Sequence, residues 1–140
     1  MKSLTPHSGD RGRKGNILLT FTFGLIALLG AAGLGVDYAM LVSDASHLQQ
    51  ACDFAAIAGA LKLKNTPLDG DGDDVLNARV DADRVARNQL AAIQAVRISL
   101  AQDNTRIRVE GDYIRRHHFM RVLGRTESLI TRWATAEASV

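Results

Sequence analysis

Three aspartates, Asp69, Asp71 and Asp73, alternate in the segment LDGDGDD. Alternating carboxylates could bind Ca²⁺, which prefers oxygen ligands. An EF-hand loop also needs a glycine at its sixth position and a glutamate at its twelfth, where this chain has Asp74 and Val80. We therefore interpret the segment as a solvated acidic loop that precedes a helix, with a weak calcium contact as the alternative, and we predict no metal site.

A second candidate cluster combines the adjacent histidines His117 and His118 with nearby arginines, namely Arg115, Arg116, Arg121 and Arg125. Neighbouring side chains on a strand point to opposite faces, so the two histidines are poor joint metal ligands. The arginines could contact lipid phosphates or an acidic partner, although a solvated face is the simplest interpretation. The sequence contains none of the motifs G-x-S-x-G, HExxH, P-loop or GxGxxG. It therefore predicts no enzyme activity, no catalytic residue and no cofactor.

Cys52 is the only cysteine, which excludes an intramolecular disulfide and a CxxC metal site. Its neighbours Ala51, Ala55 and Ala56 indicate a small buried hydrophobic side chain, with an intermolecular disulfide as the alternative. No cysteine–histidine set stands out as catalytic.

The positive charge of the chain is concentrated at its N-terminus. Residues 1–16 contain four basic side chains and one acidic one, whereas residues 17–140 contain 13 basic and 14 acidic side chains. A nucleic-acid-binding domain needs a basic face on its folded part, so nucleic acid is not predicted as a partner.

Residues 17–36, ILLTFTFGLIALLGAAGLGV, form an uncharged run of 20 positions. As a helix such a run is about 30 Å long, which matches the hydrocarbon thickness of a bilayer. Basic residues precede the run and Asp37 follows it, so we predict a cytoplasmic N-terminus and a C-terminus outside the cytoplasm. A signal peptide cleaved near Ala31-Ala32-Gly33 is the alternative. The length of the run and the helical pattern beyond it favour a retained single-pass anchor.

Small residues form one stripe along this run at every fourth position: Ala27, Ala31, Gly35 and Ala39. Such a stripe lets helices approach closely, so it is a candidate packing face for another protein or a second copy. The alternative is that glycine and alanine are common in all membrane helices. Asp37 could pair with a partner's cation, but its position at the end of the run favours an anchor in headgroup water.

The helix is predicted to continue outside the membrane as a stalk to about Lys64, where Asn65-Thr66-Pro67 ends it. Its polar side comprises Ser43, Ser46, His47, Gln50 and Asp53, and its apolar side comprises Leu41, Ala45, Leu48, Cys52 and Ala55. Residues 54–61, FAAIAGAL, are apolar all round, so we expect the remainder of the chain to wrap them.

Beyond the stalk the pattern predicts a small module with both helix and sheet. A second helix is expected over about Val75–Ala92, capped by Asp73 or Asp74, and its core-facing residues are predicted as Leu76, Val80, Ala86 and Leu90. Alternating residues at 96–100 and 107–109, joined by a turn at Asp103-Asn104, predict a hairpin. Residues 118–123 read as a short helical turn ended by Gly124, and residues 127–140 as a third strand.

The predicted fold class is therefore α+β, with a long N-terminal transmembrane helix extended into a stalk, a second helix and a small antiparallel sheet, a pilin-like arrangement. Four parts are expected: a basic tail (1–16), a membrane span (17–36), a helical stalk (37–64) and an α+β module (65–140).

The region Gly15–Leu61 resembles the N-terminal region of TadE/TadG-like proteins of the Tad, or Flp, pilus system. The residues that carry the resemblance are Gly15, Val36, Asp37, Leu48, Gln49, Ala51, Asp53, Ala55 and Ala56, with Cys52 where the family usually has alanine. The segment FMRVLG, residues 119–124, is also similar to the family's first module outside the cytoplasm. The resemblance implies a structural single-pass protein of the bacterial inner membrane, with membrane lipid and other pilus-assembly proteins as partners. An unrelated membrane-tethered periplasmic binding module is the alternative.

Two departures from the family pattern limit what the resemblance implies. The chain has no room for the von Willebrand type A domain of larger TadG-like members, and residues 44–48 lack the second serine of a DxSxS motif. Metal-dependent adhesion is therefore not implied. If Gly15 preceded a prepilin-peptidase cut, the fifth mature residue would be Thr20 instead of glutamate, so we expect the N-terminal tail to be retained.

Overall fold

The computed structural model describes residues 11–64, 72–101 and 105–138. The elements within these ranges are helix α1 (Arg11–Lys64), helix α2 (Gly72–Gln89), strand β1 (Ala95–Leu100), strand β2 (Arg106–Arg116), the 3₁₀ helix η1 (Met120–Leu123) and strand β3 (Glu127–Glu137). The chain divides into two compact units, residues 1–36 and residues 37–140. The predicted α+β class, with one long apolar helix, a second helix and a small antiparallel sheet, is confirmed.

The first unit holds the uncharged run, which lies within α1. Large apolar side chains such as Phe21 and Leu28 are exposed along it. The hydroxyls of Thr20 and Thr22 donate to the backbone carbonyls of Asn16 and Leu18, at 2.9 and 2.8 Å. These bonds satisfy the two hydroxyls within the helix itself. By length and composition, α1 is able to cross a membrane.

Helix α1 begins earlier than predicted. It starts at Arg11, six residues before the predicted start at Ile17, and therefore includes Gly12 and Gly15. Its last residue is Lys64, as predicted. The predicted stop at Asn65-Thr66-Pro67 and the aspartates Asp69 and Asp71 lie outside the described residues.

The second unit contains a three-stranded antiparallel sheet in the order β1-β2-β3. Ile98 of β1 pairs with Val109 of β2, which pairs in turn with Ala134 of β3. The predicted hairpin and third strand are confirmed, although β2 is longer than its alternating core of residues 107–109 suggested. The predicted turn at Asp103-Asn104 lies outside the described residues.

The hydrophobic core of this unit lies between the sheet and the helices. Its fully buried members on α1 and β2 are Leu48, Cys52, Ala55, Ile107 and Val109, which confirms the predicted apolar side of the stalk. A Cβ placed on Gly111 of β2 would lie 3.1 Å from Leu48 Cδ1 and 3.2 Å from Cys52 Sγ. Glycine at this position therefore allows the central strand to lie close against α1.

The predicted core face of α2 was partly wrong. Ala86 is buried and Leu90 is partly buried against the core, but Leu76 and Val80 are exposed. The buried positions are instead the alanines Ala78, Ala82 and Ala86, spaced by four residues. Small side chains occupy the buried face because α2 approaches α1 closely. A Cβ placed on Gly59 would lie 3.4 Å from Ala82 Cβ. Asp73 and Asp74 lie inside the first turn of α2, not at its cap, because the helix begins at Gly72.

Residues 54–61 are covered on one side only, so the expected wrapping was wrong. Ala55, Ala56 and Ala60 are buried, whereas the larger Phe54, Ile57 and Leu61 remain about half exposed. The sheet and α2 are too small to surround α1, and they cover the side that carries its small residues.

Candidate functional site

The candidate site is built around Asp37, the residue that directly follows the uncharged run. The Asp37 side chain is 2% exposed and accepts three backbone N–H groups. Its Oδ1 accepts the N–H of His118 at 3.2 Å, and its Oδ2 accepts those of Phe119 at 2.8 Å and Met120 at 2.7 Å. Both predicted roles for Asp37, the headgroup anchor and the acid that pairs with a partner's cation, are therefore corrected. The carboxylate holds the β2–β3 connection of its own chain.

The electrostatics of Asp37 favour its charged form. Burial by itself raises the pKa of a carboxyl group, because it removes water from the charge. The three backbone N–H groups, with a smaller contribution from His117, outweigh burial and lower the pKa of Asp37 below 3.8. Hydrogen bonds to an ionised acceptor are among the stronger ones in proteins. Asp37 is therefore a charged residue that stabilises the fold from inside it.

The segment that Asp37 holds is the predicted helical turn, and the structure confirms it as η1. Gly124 ends the turn in the left-handed conformation, at φ 81°. The N–H of Gly124 donates to the carbonyl of Arg121, and that of Arg125 donates to the carbonyl of Met120. This pair of bonds forms a Schellman-type ending, which glycine adopts without steric cost. The connection between β2 and β3 thus has a fixed shape.

His117 lies beside the Asp37 site and is buried, at 3% exposure. Its Nε2 is 2.7 Å from Ser128 Oγ, while its Nδ1 has no hydrogen-bond partner among the described residues. The two neighbouring histidines therefore lie in different environments, His117 buried and His118 exposed.

Arg115 forms an ion pair with the stalk. Its Nη1 is 2.8 Å from Asp44 Oδ2, and the two side chains are only 20% and 21% exposed. The other guanidinium nitrogen contacts the sulfur of Met40 at 2.8 Å. Arg115 therefore does not belong to a solvated basic face. It joins β2 to α1 at Met40 and Asp44, three and seven residues after Asp37.

A second polar cluster lies on the sheet at Asp112. Its carboxylate accepts the hydroxyl of Thr131 at 2.8 Å and both guanidinium N–H groups of Arg97. These bonds lower the pKa of Asp112, with Thr131 contributing most and Arg97 next. The cluster links all three strands, because Arg97 lies on β1, Asp112 on β2 and Thr131 on β3.

The residues of the family resemblance fall into a buried and an exposed group. Asp37, Leu48, Ala51, Ala55 and Ala56 are buried, whereas Val36 and Asp53 are exposed and Gln49 is partly exposed. Gln49 donates to Asp53 Oδ1 at 3.0 Å and to the carbonyl of Trp133 at 3.2 Å. The pattern therefore marks the side of α1 that packs on the sheet. The four stripe residues Ala27, Ala31, Gly35 and Ala39 are all exposed.

Cys52 confirms the prediction of a small buried side chain. It is fully buried, and its thiol lies 3.5 Å from the carbonyl of Arg132. Burial raises the pKa of the Cys52 thiol, so the neutral form is favoured. Within the described residues, no three histidine, cysteine or acidic side chains are close enough together to hold a metal ion.

Two features of this site could not be found from the sequence. The ion pair of Asp44 with Arg115 joins residues 71 positions apart, and the Asp37 bonds join residues more than 80 positions apart. Neither pair has a sequence signal of its own. The only available hint was the pairing of the Val36-Asp37 motif with the segment FMRVLG in one family pattern.

Within the described residues, the structure combines one helix that is able to cross a membrane with a small α+β module in which the buried Asp37 holds the β2–β3 connection. Comparison with protein-family models matches residues 15–62 to the family described as putative Flp pilus-assembly TadE/G-like. The match confirms the resemblance over the N-terminal region and supports a role related to pilus assembly. With the apolar helix near the N-terminus, it also supports a membrane anchor. Comparison with curated proteins and with solved structures gives no match.

Proposed function

We propose that this protein is a structural, non-enzymatic component of Tad/Flp-type pilus assembly or of the associated secretion. The family match carries the proposal, because residues 15–62 include both the uncharged run and the stalk that packs on the sheet. In this role the span holds the protein in the bacterial inner membrane as a single-pass anchor. Residues 1–16 remain in the cytoplasm, and the module from Asp37 onward lies in the periplasm.

The arrangement of polar groups supports a structural role over catalysis. The buried Asp37 and the partly buried Asp44–Arg115 pair are engaged in bonds that join α1 to the β2–β3 connection and to β2. Catalytic groups are instead left facing a cleft with a displaced pKa. The buried thiol of Cys52 is held neutral and is also unsuited to nucleophilic attack.

The exposed apolar residues of α1 offer surface for partners in the assembly. Phe54, Ile57 and Leu61 form a half-exposed patch on the stalk, and the stripe from Ala27 to Ala39 is a candidate face for helix packing in the membrane. Other pilus-assembly proteins, or a second copy of this chain, are the partners that fit the proposed role.

The proposal is tested by deleting the gene and restoring it with wild-type or Asp37→Ala protein. We expect the deletion to abolish piliation, and with it adherence or secretion, and the wild-type copy to restore them. Ser46→Ala, which changes an exposed side chain of the same helix outside the family pattern, is the matched control and should restore function fully. A deletion strain with unchanged pili, adherence and secretion would overturn the proposal.

Topology is tested on the same strains by adding trypsin to intact cells and to spheroplasts. We expect the module after Asp37 to be cut only in spheroplasts and a tag at the N-terminus to be protected until the membrane is lysed. The mass of the intact, membrane-extracted protein shows whether the tail is retained or cut after Gly15 or near Gly33.

A further inference from the structure

The 3₁₀ helix η1 and the residue before it expose three apolar side chains, which we call the apolar tip: Phe119, Val122 and Leu123. These side chains are 49%, 89% and 69% exposed. No residue of η1 is buried, so the turn contributes nothing to the core. The backbone N–H of its Met120 nevertheless donates to the Asp37 carboxylate, and hydrogen bonds at Gly124 and Arg125 fix its end. Exposed apolar side chains on a hydrogen-bonded turn indicate a contact surface.

The position of the apolar tip follows from chain connectivity. Asp37 directly follows the uncharged run of residues 17–36, and its carboxylate bonds the backbone at Phe119 and Met120. If that run fills the hydrocarbon core, Asp37 lies at its boundary. The backbone at Phe119 and Met120, within hydrogen-bond distance of Asp37, then lies close to the same boundary.

The charges around the apolar tip fit a lipid surface. Residues 117–126 include Arg121 and Arg125 and no acidic residue. Both arginines are exposed, and neither forms an ion pair with any side chain that the structure describes. Apolar side chains interleaved with arginines are typical of segments that lie in the membrane interface, because long cationic side chains reach the phosphates while the apolar ones enter the acyl region.

We propose that the apolar tip inserts into the outer-leaflet interface of the same membrane that the span crosses, with Arg121 and Arg125 on lipid phosphates. The inference rests on the proposed membrane anchoring and adds a second, shallow membrane contact.

The test places a fluorescent reporter at the apolar tip. The full chain carrying Val122→Trp in a Trp133→Phe background is reconstituted in vesicles of phosphatidylethanolamine and phosphatidylglycerol that contain acyl-brominated lipid. Val122 is almost fully exposed, so the substitution leaves the core intact. The wild-type protein is the matched control, since its only tryptophan, Trp133, lies six residues along β3 from Glu127, about 20 Å away at the strand rise.

We expect the tryptophan at position 122 to be quenched by brominated lipid and protected from aqueous iodide, and Trp133 to behave in the opposite way. Leu123→Trp in the same background should repeat the result. If the tryptophan at 122 is quenched by iodide and not by brominated lipid, while the protein resists carbonate extraction, the apolar tip faces water or another protein and the inference is overturned. If carbonate removes the protein from the vesicles, the proposed anchor itself fails.

Discussion

The carboxylate of Asp37 accepts the backbone N–H of Met120 at 2.7 Å, although 83 positions separate the two residues. This bond and its two neighbours fasten the connection between β2 and β3 to the first residue after the uncharged run. Because the acceptor is buried and charged, its removal leaves three N–H groups without their partner. The aspartate of the Val-Asp pair in the family resemblance thereby has a physical role. It holds the β2–β3 connection against the first residue of the stalk.

We predict that Asp37→Ala opens the β2–β3 connection. Trypsin should then cut after Arg121 about tenfold faster than in the wild-type protein in nonionic detergent, because local opening exposes the backbone of η1. Mass spectrometry of the early fragments measures the rate at that site. The control Ser46→Ala should be cut at the wild-type rate. Equal rates for Asp37→Ala and the wild type would show that the hydrogen bonds do not hold the turn.

The stability that Asp37 provides should depend on pH in a defined direction. The folded state lowers its pKa below 3.8, so the unfolded state binds the proton more readily. The gap in urea midpoint between the wild type and Asp37→Asn should be constant above about pH 4 and close as the pH falls below that value. Trp133 emission follows the unfolding. A gap that stays constant to about pH 2 would contradict the assignment.

Protonation of Asp112 should also reduce the stability of the folded protein in acid, because the fold lowers the pKa of this carboxyl group as well. The comparison with Asp37→Asn separates the two contributions, since that variant retains the Asp112 cluster intact.

The Asp44–Arg115 pair should be worth more than an exposed pair on α2. We predict that Arg115→Met costs about 1–3 kcal/mol of unfolding free energy, because it leaves a mostly buried carboxylate unpaired. The double variant with Asp44→Leu should recover part of that loss in a double-mutant cycle. The Asp83–Arg87 pair, at 40% and 51% exposure, is the control and should show less than about 0.5 kcal/mol of coupling. Equal coupling in the two cycles would contradict the role of burial.

Two isoleucines test where the core lies. Ile107 is fully buried between the sheet and the helices, whereas Ile57 is 51% exposed on α1. We predict that Ile107→Ala costs about 2–5 kcal/mol through lost burial and a residual cavity, and that Ile57→Ala costs less than about 0.5 kcal/mol. Urea unfolding in detergent measures both. Similar losses would mean that the patch around Ile57 is covered within the protein itself.

Two glycines of the uncharged run test the packing stripe. Gly30 and Gly35 both have open space where a Cβ would lie, so leucine is accommodated at either position within the chain. We predict that Gly35→Leu weakens cross-linking to partners and reduces piliation, because it blocks the stripe. Gly30→Leu points to another side of the helix and should have no effect. If the two variants behave alike, the stripe is not the packing face.

The helices and strands of this fold were predicted well, because the periodicity of apolar residues along the chain indicates the type of each element. The alternation around Ile98 and Val109 located the hairpin, and Gly124 marked the end of the short turn. The faces were harder to predict. Leu76 and Val80 were assigned to the core from the helical spacing of apolar residues, but the close approach of α2 to α1 selects Ala78 and Ala82 instead. Periodicity gives the spacing of a buried face without giving the distance between the elements.

The site was less accessible to sequence reasoning for a different reason. The position of Asp37 at the end of an apolar run indicated a boundary with water, but the structure provides N–H groups from residues more than 80 positions later. Long-range bonds of this kind depend on the completed fold. The same holds for Arg115, whose partner Asp44 has no local relation to it in the sequence.

The bonds to Asp37 come from main-chain amides, which every amino acid except proline possesses. Mutation can therefore change the side chains at positions 118–120 without removing the donors. The exposed side chains at this end of the module are thus free to differ, while a single carboxylate keeps the backbone of residues 118–120 in place.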